Sequence, residues 1–254
     1  MSDICVSIVS HGQGKIANPL LNDLERRCSG HNVVLTKNIP EEFPIRDRQY
    51  PLLQIENPSP KGFAANHNQA FRHCDSGLFC VANPDIRLQA DPFGHLKAAM
   101  SDPRVGVVAP LILNPEGTVE DSARYFPTPF GLLRKALGRS DGRFPIDLNR
   151  PSAVDWTAGM FMLFRSEAFA EVGGFDEGFF LYYEDVDICA RLWKAGWKVI
   201  LQPTTSVVHD ARRTSHTNLK YMRWHVSSMM RYFAKHLGRR PNISKITGRL
   251  NLDL

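Results

Sequence analysis

Three carboxylates follow an aromatic run in the stretch GGFDEGFFLYYEDVDICARLWKAGW. At about 100° per residue of a helix, Glu184 and Asp187 fall on an arc that they share with basic residues, which predicts a solvated face. Asp185 falls instead among apolar residues near the helix N-terminus. There the helix dipole favours its charge while apolar neighbours raise its pKa. Those opposed effects can make Asp185 a general base near neutral pH; the alternative is that it only caps the helix.

Two more candidate positions come directly after predicted strands. In VANPDIR, Asn83 and Asp85 follow an apolar strand at 78–82, and open α/β sheets bind ligands at the carboxyl ends of their strands. A carboxylate there can hold a divalent cation together with a diphosphate, although Asn-Pro-Asp is also an ordinary turn. In VVHDARRTS, His209 can complete a metal site and Arg212 can hold phosphate oxygens, whereas a lone histidine is often structural.

A fourth candidate is the start of a predicted helix in KGFAANHNQAF. Gly62 precedes this helix, and its first turn carries Asn66, His67 and Asn68. Helix N-termini attract anions and polar ligand groups. A plain capping segment explains the same residues, so both interpretations stay open.

The elements that must position these residues alternate between strand and helix. Buried strands are predicted at residues 4–10, 33–36, 52–55, 78–82, 105–113, 154–164 and 197–202. Helices are predicted at residues 19–28, 63–74, 92–100, about three turns from 184, and 217–237. The segment 114–150 is predicted as a loop with one short helix near 131–137. This alternation predicts an α/β fold with a mostly parallel sheet covered by helices.

The composition is that of a globular protein with its own core. The chain has 254 residues, of which 43% are hydrophobic, and that is enough to bury a large core. Its five cysteines are scattered without a C-x-x-C pair, so we expect no disulfide framework, no structural zinc site and a reducing, cytoplasmic compartment. No apolar run is long enough to predict a signal peptide or a transmembrane helix.

Basic residues are concentrated towards the end of a chain whose formal net charge is +5. One face of the helix predicted at 217–237 is apolar, with basic residues on the other; the apolar face carries Leu219, Met222, Val226, Met229 or Met230, and Phe233. Such a helix can rest on an anionic inner-membrane surface, or it can pack on the core with its outer side solvated. No nucleic-acid partner is expected, because the aromatic residues lie in predicted core elements rather than among the basic residues.

Taken in order, five segments resemble family-two glycosyltransferases of the GT-A fold, especially the bacterial rhamnosyltransferase-like branch that builds surface polysaccharides. The segments are GFAANHNQAF, NPDI, DWTAGMFMLFRSEAF, GGFDEGFFLYYEDVDICARLWKAGW and VVHD. The resemblance extends over most of the span from residue 52 to about residue 215. We expect a GT-A domain over 1–215, with a nucleotide-binding half at 1–113, an acceptor and catalytic half at 151–215, and a basic helical extension at 216–254.

The resemblance implies a nucleotide-sugar donor, a divalent cation (Mg²⁺ or Mn²⁺) and inversion at the anomeric carbon. By position it makes Asp85 and His209 the metal-binding residues and Asp185 the base. From the residues and the resemblance together, the residues that we expect to bind the donor are Ser10, His11, Asn38, Gly62, Asn66, Asn68, Asn83, Asp85 and Arg212. Those that it implies for acceptor binding are Asp155, Trp156, Gly159 and Glu184.

The first two strand ends depart from the family pattern. Relatives commonly follow the first strand with Thr-Tyr-Asn, where this chain has Ser10-His11-Gly12, and often follow the second with Asp-Asn, where it has Lys37-Asn38. Uridine and thymidine therefore both stay open as the donor base. The branch favours transfer of L-rhamnose from dTDP-rhamnose to a lipid-linked glycan. The alternatives are another donor, such as a UDP-hexose, or an inactive module that binds sugar nucleotides or glycans.

Overall fold

The computed structural model describes residues 3–28, 30–42, 48–139, 144–210, 219–236, 238–239, 241 and 243. The strands are β1 (Ile4–Ser10), β2 (Asn32–Lys37), β3 (Leu52–Glu56), β4 (Leu78–Ala82), β5 (Ile86–Arg87), β6 (Val105–Leu113), β7 (Ala123–Arg124), β8 (Ser152–Ala153), β9 (Trp156–Thr157), β10 (Phe161–Arg165) and β11 (Lys198–His209). The helices are α1 (Gly14–Arg27), α2 (Phe63–Phe71), α3 (Phe93–Ala99), α4 (Pro129–Ala136), α5 (Ser166–Glu171), α6 (Glu184–Lys194) and α7 (Leu219–His236).

A mixed, mostly parallel sheet runs through the middle of the protein in the order β3-β2-β1-β4-β10-β6-β11-β5, with β8 paired to β11. Strands β1, β2, β3 and β4 are parallel, which confirms the predicted α/β architecture. Strand β10 is antiparallel to both β4 and β6, and β11 is parallel to β6. Strands β4, β6 and β11 therefore point the same way, and their carboxyl ends meet at one edge.

Two hydrophobic clusters cover the two faces of this sheet. Along β1 the side chains alternate, as strand geometry requires. Ile4, Val6 and Ile8 join the cluster under α1 and α3, whereas Cys5 joins the cluster under α2, α5 and α6. The helices on both faces explain why β4 and β6 are apolar almost throughout.

The prediction of one strand over residues 154–164 is wrong, because the structure divides this segment between β9 and β10. Strand β9 leaves the central sheet and pairs with β7 in a small second sheet, while β10 begins only at Phe161. A turn that contains Gly159 lies between them. Asp155, Thr157 and Gly159 interrupt the apolar pattern of this segment, and Gly159 is the signal that could have indicated the break.

Two other boundaries differ from prediction. Helix α1 begins at Gly14 rather than at residue 19. Its N-cap residue, Gln13, makes no side-chain capping bond, so the sequence carries no capping signal for this start. Strand β11 continues to His209 rather than ending at residue 202. Its pairing with β6 shifts register between Gln202 and Ser206, and this irregularity accommodates Pro203 within the strand.

The expectation that the cysteines stay unpaired is also wrong. Cys5 on β1 and Cys74 after α2 form a disulfide, with Cα atoms 5.9 Å apart. Helix α2 lies over β1 and brings its end to Cys5. Sixty-nine residues separate the two cysteines, so their spacing gave no indication of the pairing.

The predicted solvated face of α6 is wrong as well. Glu184 and Asp187 are both buried, and α7 packs against Asp187. Asp187 Oδ1 lies 2.7 Å from His236 Nε2 and 2.8 Å from Lys235 Nζ. Its Oδ2 accepts a hydrogen bond from Arg191 at 2.7 Å. Asp187 is thus the carboxylate that joins α6 to the C-terminal helix.

Within the residues that the structure describes, no helix combines the length and the apolar character needed to cross a membrane.

We predict that Asp187→Asn destabilises the fold by about 3 kcal/mol at pH 7, because it takes a buried carboxylate away from the partly buried cations Arg191 and Lys235. Burial opposes the charge of Asp187, but its bonds to His236 and Lys235 and the charge of Arg191 outweigh burial and lower its pKa to about 2. An unfolded aspartate titrates near 3.9. The contribution should therefore be complete above about pH 5 and disappear as the pH falls towards 2.

Urea unfolding of both proteins from pH 7 to pH 3 measures this difference. Glu116→Gln, at an exposed turn residue, is the control and should change little. An Asp187→Asn deficit that stays constant down to pH 3 would contradict the role of its charge.

Candidate functional site

Asp85 and His209 meet at the carboxyl edge of the sheet. Asp85 follows β4, and His209 ends β11, where it is paired with Ile86 of β5. The Asp210 amide donates to the Asp85 carbonyl at 3.0 Å, which fixes the two segments together. The His209 Nε2 atom lies 3.4 Å from Asp85 Oδ2. The predicted pair of metal-binding residues is therefore brought together by the fold.

Glu120 contacts the other side of the histidine ring. Its Oε2 lies 2.8 Å from His209 Nδ1. Because a carboxylate only accepts, Nδ1 is the protonated nitrogen and Nε2 faces Asp85. Burial disfavours the imidazolium form, but hydrogen bonds to Asp85 and Glu120 outweigh it, so the pKa of His209 is raised.

The pair suits a divalent cation that a second ligand also holds. Asp85 Oδ1 is buried and has no hydrogen-bond partner among the described residues, and a buried carboxylate oxygen normally has one. No group of three or more His, Cys, Asp or Glu within the described part of the chain could hold a metal alone. A carboxylate and an imidazole would thus supply part of a coordination shell whose other ligands are diphosphate oxygens.

Asp185 lies at the same edge of the sheet, beside the turn between β9 and β10. Its Oδ2 accepts from the Gly159 amide at 3.0 Å, and its Oδ1 accepts from the Val186 amide at 2.8 Å. The next residue, Met160, accepts at its carbonyl from the Asn83 amide at 2.9 Å. The turn between β9 and β10 therefore lies directly between Asp185 and the segment that carries Asp85.

The two adjacent carboxyl groups of α6 differ in environment. Glu184 is buried, and burial together with the charge of Asp185 raises its pKa well above the usual range. Asp185 is only partly exposed; burial raises its pKa, while bonds from the amides of Gly159 and Val186 oppose that shift. Both carboxyl groups thus have an increased affinity for a proton, and the shift of Glu184 is the larger.

A strained turn sets the start of α6. Tyr182 and Tyr183 have φ angles of 70° and 66°, a left-handed conformation that costs a non-glycine residue about 1–3 kcal/mol. Helix α7 holds this turn. Ser228 Oγ donates to the Leu181 carbonyl at 2.8 Å, and the His225 ring lies 5.4 Å from both tyrosine rings. Packing against α7 thus offsets the strain that aims Asp185 at Gly159.

The predicted acceptor residues surround this turn. A Cβ atom on Gly159 would lie 3.2 Å from Phe63 Cζ and 3.6 Å from Asp185 Cβ, so a side chain there would press on the Phe63 ring and contact Asp185. Asp155 Oδ2 accepts from the Phe126 amide at 2.9 Å, and the Trp156 indole donates to the Tyr125 carbonyl at 3.0 Å. These bonds fasten the small sheet beside Asp185.

The predicted donor residues form a hydrogen-bonded network at the ends of β1, β2 and β3. The Asn38 amide nitrogen reaches His11 Nδ1 at 3.1 Å and the Lys61 carbonyl at 2.8 Å. Its oxygen accepts from Asn57 and from the Lys61 amide, so all four of its hydrogen-bonding positions are used. Asn57 also donates to Asn66 at 2.7 Å. Asn38 and Asn66 therefore make these hydrogen bonds within the protein.

The remaining donor candidates are also explained by local contacts. Ser10 is buried and its Oγ accepts from the Gln13 amide at the start of α1. A Cβ atom on Gly62 would lie 2.6 Å from the Phe180 carbonyl oxygen. Asn68 bonds the backbone of Phe175 in both directions. Arg212 lies outside the described residues.

His67 is a structural residue of α2. Its Nδ1 lies 2.8 Å from Ser7 Oγ in the core, and burial lowers its pKa to about 3.

Sequence reasoning missed two residues of this edge. Glu120 lies in the predicted loop, 89 residues from His209, and no spacing rule connects them. Asn57 follows β3 as Asn38 follows β2, so the strand-end argument could have found it. Its Oδ1 is buried without a partner among the described residues. It borders a cavity of about 840 Å³ whose lining residues are Lys37, Ile39, Pro40, Glu41, Glu42, Glu56 and Asn57.

Comparison with known proteins finds one matching family model and several similar sequences. A model of the family described as glycosyl transferase family group 2 matches residues 85–237. Rhamnosyltransferase WbbL of Escherichia coli K12 is 28% identical over 246 residues, which cover 91% of this chain and 93% of that protein. An N-acetylglucosaminyl-diphospho-decaprenol L-rhamnosyltransferase of Mycobacterium tuberculosis H37Rv is 37% identical over 170 residues, which cover 62% of this chain and 55% of the relative.

The solved structure of the mannosyltransferase PcManGT from Pyrobaculum calidifontis, in complex with GDP-Man and Mn²⁺, has a similar fold. The two agree with a TM-score of 0.66 at 17% identity, over 97% of this chain and 68% of that one. At this identity the likeness shows the fold alone, and it confirms the GT-A architecture.

We predict that Glu184 titrates above an ordinary glutamate and that Asp185→Asn lowers its pKa. The substitution removes the neighbouring negative charge, whereas burial remains. Carboxyl ¹³C NMR titration of both proteins measures the change. A Glu184 pKa near 4.3, the value of an exposed glutamate, would contradict the burial of this group, and an unchanged pKa in Asp185→Asn would contradict the coupling.

Proposed function

The chain belongs to glycosyl transferase family group 2, and from this premise we propose that it is an inverting, metal-dependent sugar transferase whose base is Asp185. The observation that carries the proposal is the turn at Gly159 and Met160. It is hydrogen-bonded on one side to Asp185 and on the other to Asn83, two residues before Asp85. A donor diphosphate at Asp85 and an acceptor hydroxyl at Asp185 would therefore face each other over this turn.

The proposed donor is a nucleotide sugar that lies along the carboxyl edge of the sheet. Its nucleoside would cover the ends of β1, β2 and β3. His11 is exposed there, and Asn57 has a free buried acceptor. Its diphosphate would reach Asp85 and His209 past the end of β4. Asn38, Asn66, Gly62 and Asn68 would shape this surface through the contacts that they make within the protein. The structure with GDP-Man supports the donor class.

Asp85 Oδ1 and His209 Nε2 would hold Mg²⁺ or Mn²⁺, with Glu120 keeping the imidazole in the required tautomer. When bound, the cation neutralises the charge that develops on the departing nucleoside diphosphate. The carboxylate and imidazole suit both ions, and the Mn²⁺ of the solved relative supports this choice of cofactor.

Asp185 would accept the proton of the acceptor hydroxyl as that oxygen attacks C1 of the sugar from the side opposite the diphosphate. The new bond joins the acceptor oxygen to C1, and the bond from C1 to the diphosphate breaks, so the anomeric configuration inverts. Because burial raises the pKa of Asp185, its carboxylate is a stronger base than an exposed one. Glu184, whose pKa burial and the charge of Asp185 raise, would lie beside it, and Asp155, Trp156 and Gly159 would border the acceptor.

For the sugar we propose L-rhamnose from dTDP-rhamnose, and for the acceptor a lipid-linked glycan at the cytoplasmic face of a membrane. The names of two relatives, one of which acts on a diphospho-decaprenol-linked sugar, support both choices. A UDP-hexose donor is the alternative. A panel of nucleotide sugars, scored by release of nucleoside diphosphate, separates these donors.

We predict that Asp185→Asn lowers transfer by at least about 10²-fold, the usual contribution of a general base. Nucleotide binding should stay unchanged, because the bonds of Asp185 go to the amides of Gly159 and Val186, which lie outside the proposed donor surface. The assay is release of nucleoside diphosphate from the preferred donor in the presence of acceptor. Asp102→Asn is the matched control, because Asp102 pairs with Lys198 at the opposite edge of the sheet. Full transfer by Asp185→Asn would remove this residue from the role of base.

We predict that Asp85→Asn abolishes the gain in thermal stability that Mn²⁺ gives to the complex with nucleoside diphosphate. Glu120→Gln should weaken the apparent Mn²⁺ affinity by about 10–100-fold, the usual cost of losing a group that orients a metal-binding histidine. Glu116→Gln, in the same loop but exposed, is the control. Stabilisation by Mn²⁺ that is equal in all three variants would place the cation elsewhere.

A further inference from the structure

Helix α7 turns one apolar stripe away from the protein. The residues that it buries completely are Ser228, Tyr232 and His236, spaced four apart. Met222, Val226 and Met230 have the same spacing but lie about 120° further round the helix. Although Met229 and Phe233 of this helix contact the core, the stripe of Met222, Val226 and Met230 does not enter it.

Helix α4 also turns an apolar stripe away from the protein. Phe130, Leu133 and its cap residue Leu137 lie on one face at i, i+3 and i+7. Together with the three residues of α7, their exposed fractions range from 47% to 62%. A short helix normally turns such a stripe towards the core, so two outward stripes indicate a surface with a partner. We call these six residues the outer apolar face.

The charges beside the outer apolar face are positive. Neither α7 nor the segment 125–139 contains an aspartate or glutamate. Arg134, Lys135 and Arg139 belong to α4 and the turn after it, and Arg223 follows Met222 on α7. Burial and the nearby charge of Lys135 lower the pKa of His225 on α7, so the two helices are within electrostatic reach of each other.

Both helices border the acceptor side of the candidate site. Helix α7 holds the Leu181 carbonyl, four residues before Asp185. Helix α4 follows β7, which pairs with β9 at the turn that binds Asp185. The two helices that carry the outer apolar face are therefore attached to elements that position Asp185.

We propose that the outer apolar face docks on an anionic phospholipid surface. This proposal rests on the proposed function in one respect. The function supplies the reason for docking, because a lipid-linked acceptor is presented at a phospholipid surface. Exposed aliphatic and aromatic side chains beside cations are the chemistry that enters a headgroup layer. A second copy of this chain fits less well, because a symmetric pairing would bring Arg134, Lys135 and Arg223 against their own copies.

The test is co-sedimentation of the full chain with vesicles, with and without phosphatidylglycerol. The wild type should bind vesicles of equimolar phosphatidylcholine and phosphatidylglycerol, and bind pure phosphatidylcholine at least about 10-fold more weakly. Leu133→Ser/Met230→Ser should lower binding to the mixed vesicles at least about 10-fold, because two apolar insertions are lost. Arg134→Gln/Lys135→Gln should lower binding to the mixed vesicles and leave binding to phosphatidylcholine unchanged.

Leu53→Ser is the matched control, since Leu53 on the edge strand β3 is also exposed, and it should bind as the wild type does. Unchanged binding of Leu133→Ser/Met230→Ser to the mixed vesicles would overturn the proposal, as would a wild type that binds neither vesicle. If the substitutions instead convert a dimer to a monomer in light scattering, the face is an interface between copies, and the proposal fails.

Turnover of the nucleotide-sugar donor with a water-soluble acceptor distinguishes this proposal from the proposed function. Leu133→Ser/Met230→Ser should keep that turnover while it loses vesicle binding. A wild type that binds vesicles through this face but turns over no nucleotide sugar would overturn the proposed function and leave the docking face standing.

Discussion

The reversed direction of β10 is the constraint on which the candidate site depends. Because β10 runs against β4, it starts where β4 ends, with Phe161 opposite Ala82. The turn before β10 therefore lies at the carboxyl edge of the parallel strands. Because β10 also opposes β6, the strand β11 ends at that same edge. One antiparallel strand thus gathers Asp85, His209 and Asp185 from segments that are far apart in the chain.

The protein uses its C-terminal helix to support this geometry. Asp187 of α6 is buried against His236 and Lys235 of α7. Ser228 of the same helix holds the strained turn that precedes Asp185. Two left-handed tyrosines would be costly in an isolated loop, and they persist because α7 packs on them. The helix that fixes the proposed base also carries part of the outer apolar face, so catalytic geometry and membrane docking would share one element.

Local rules predicted which residues meet at this edge of the sheet better than they predicted what surrounds them. Asp85 and His209 follow apolar strands, and the ends of parallel strands meet. Helix periodicity separated Asp185 from its neighbours, although the face assigned to Glu184 and Asp187 was wrong. Asp187 is covered by α7, which begins more than thirty residues later in the chain, and periodicity within α6 carries no information about what covers it. The contact of Glu120 with His209 and the bond between Cys5 and Cys74 are hidden for the same reason.

The central claim is that a donor diphosphate at Asp85 and His209 faces Asp185 over the turn at Gly159. A crystal structure with dTDP or UDP and Mn²⁺ tests it most directly. The account predicts the metal on Asp85 and His209, Glu120 still bonded to His209 Nδ1, and the Asp185 carboxylate open to the space beyond the diphosphate. A nucleotide bound elsewhere, or a metal that Asp85 and His209 do not touch, would contradict it.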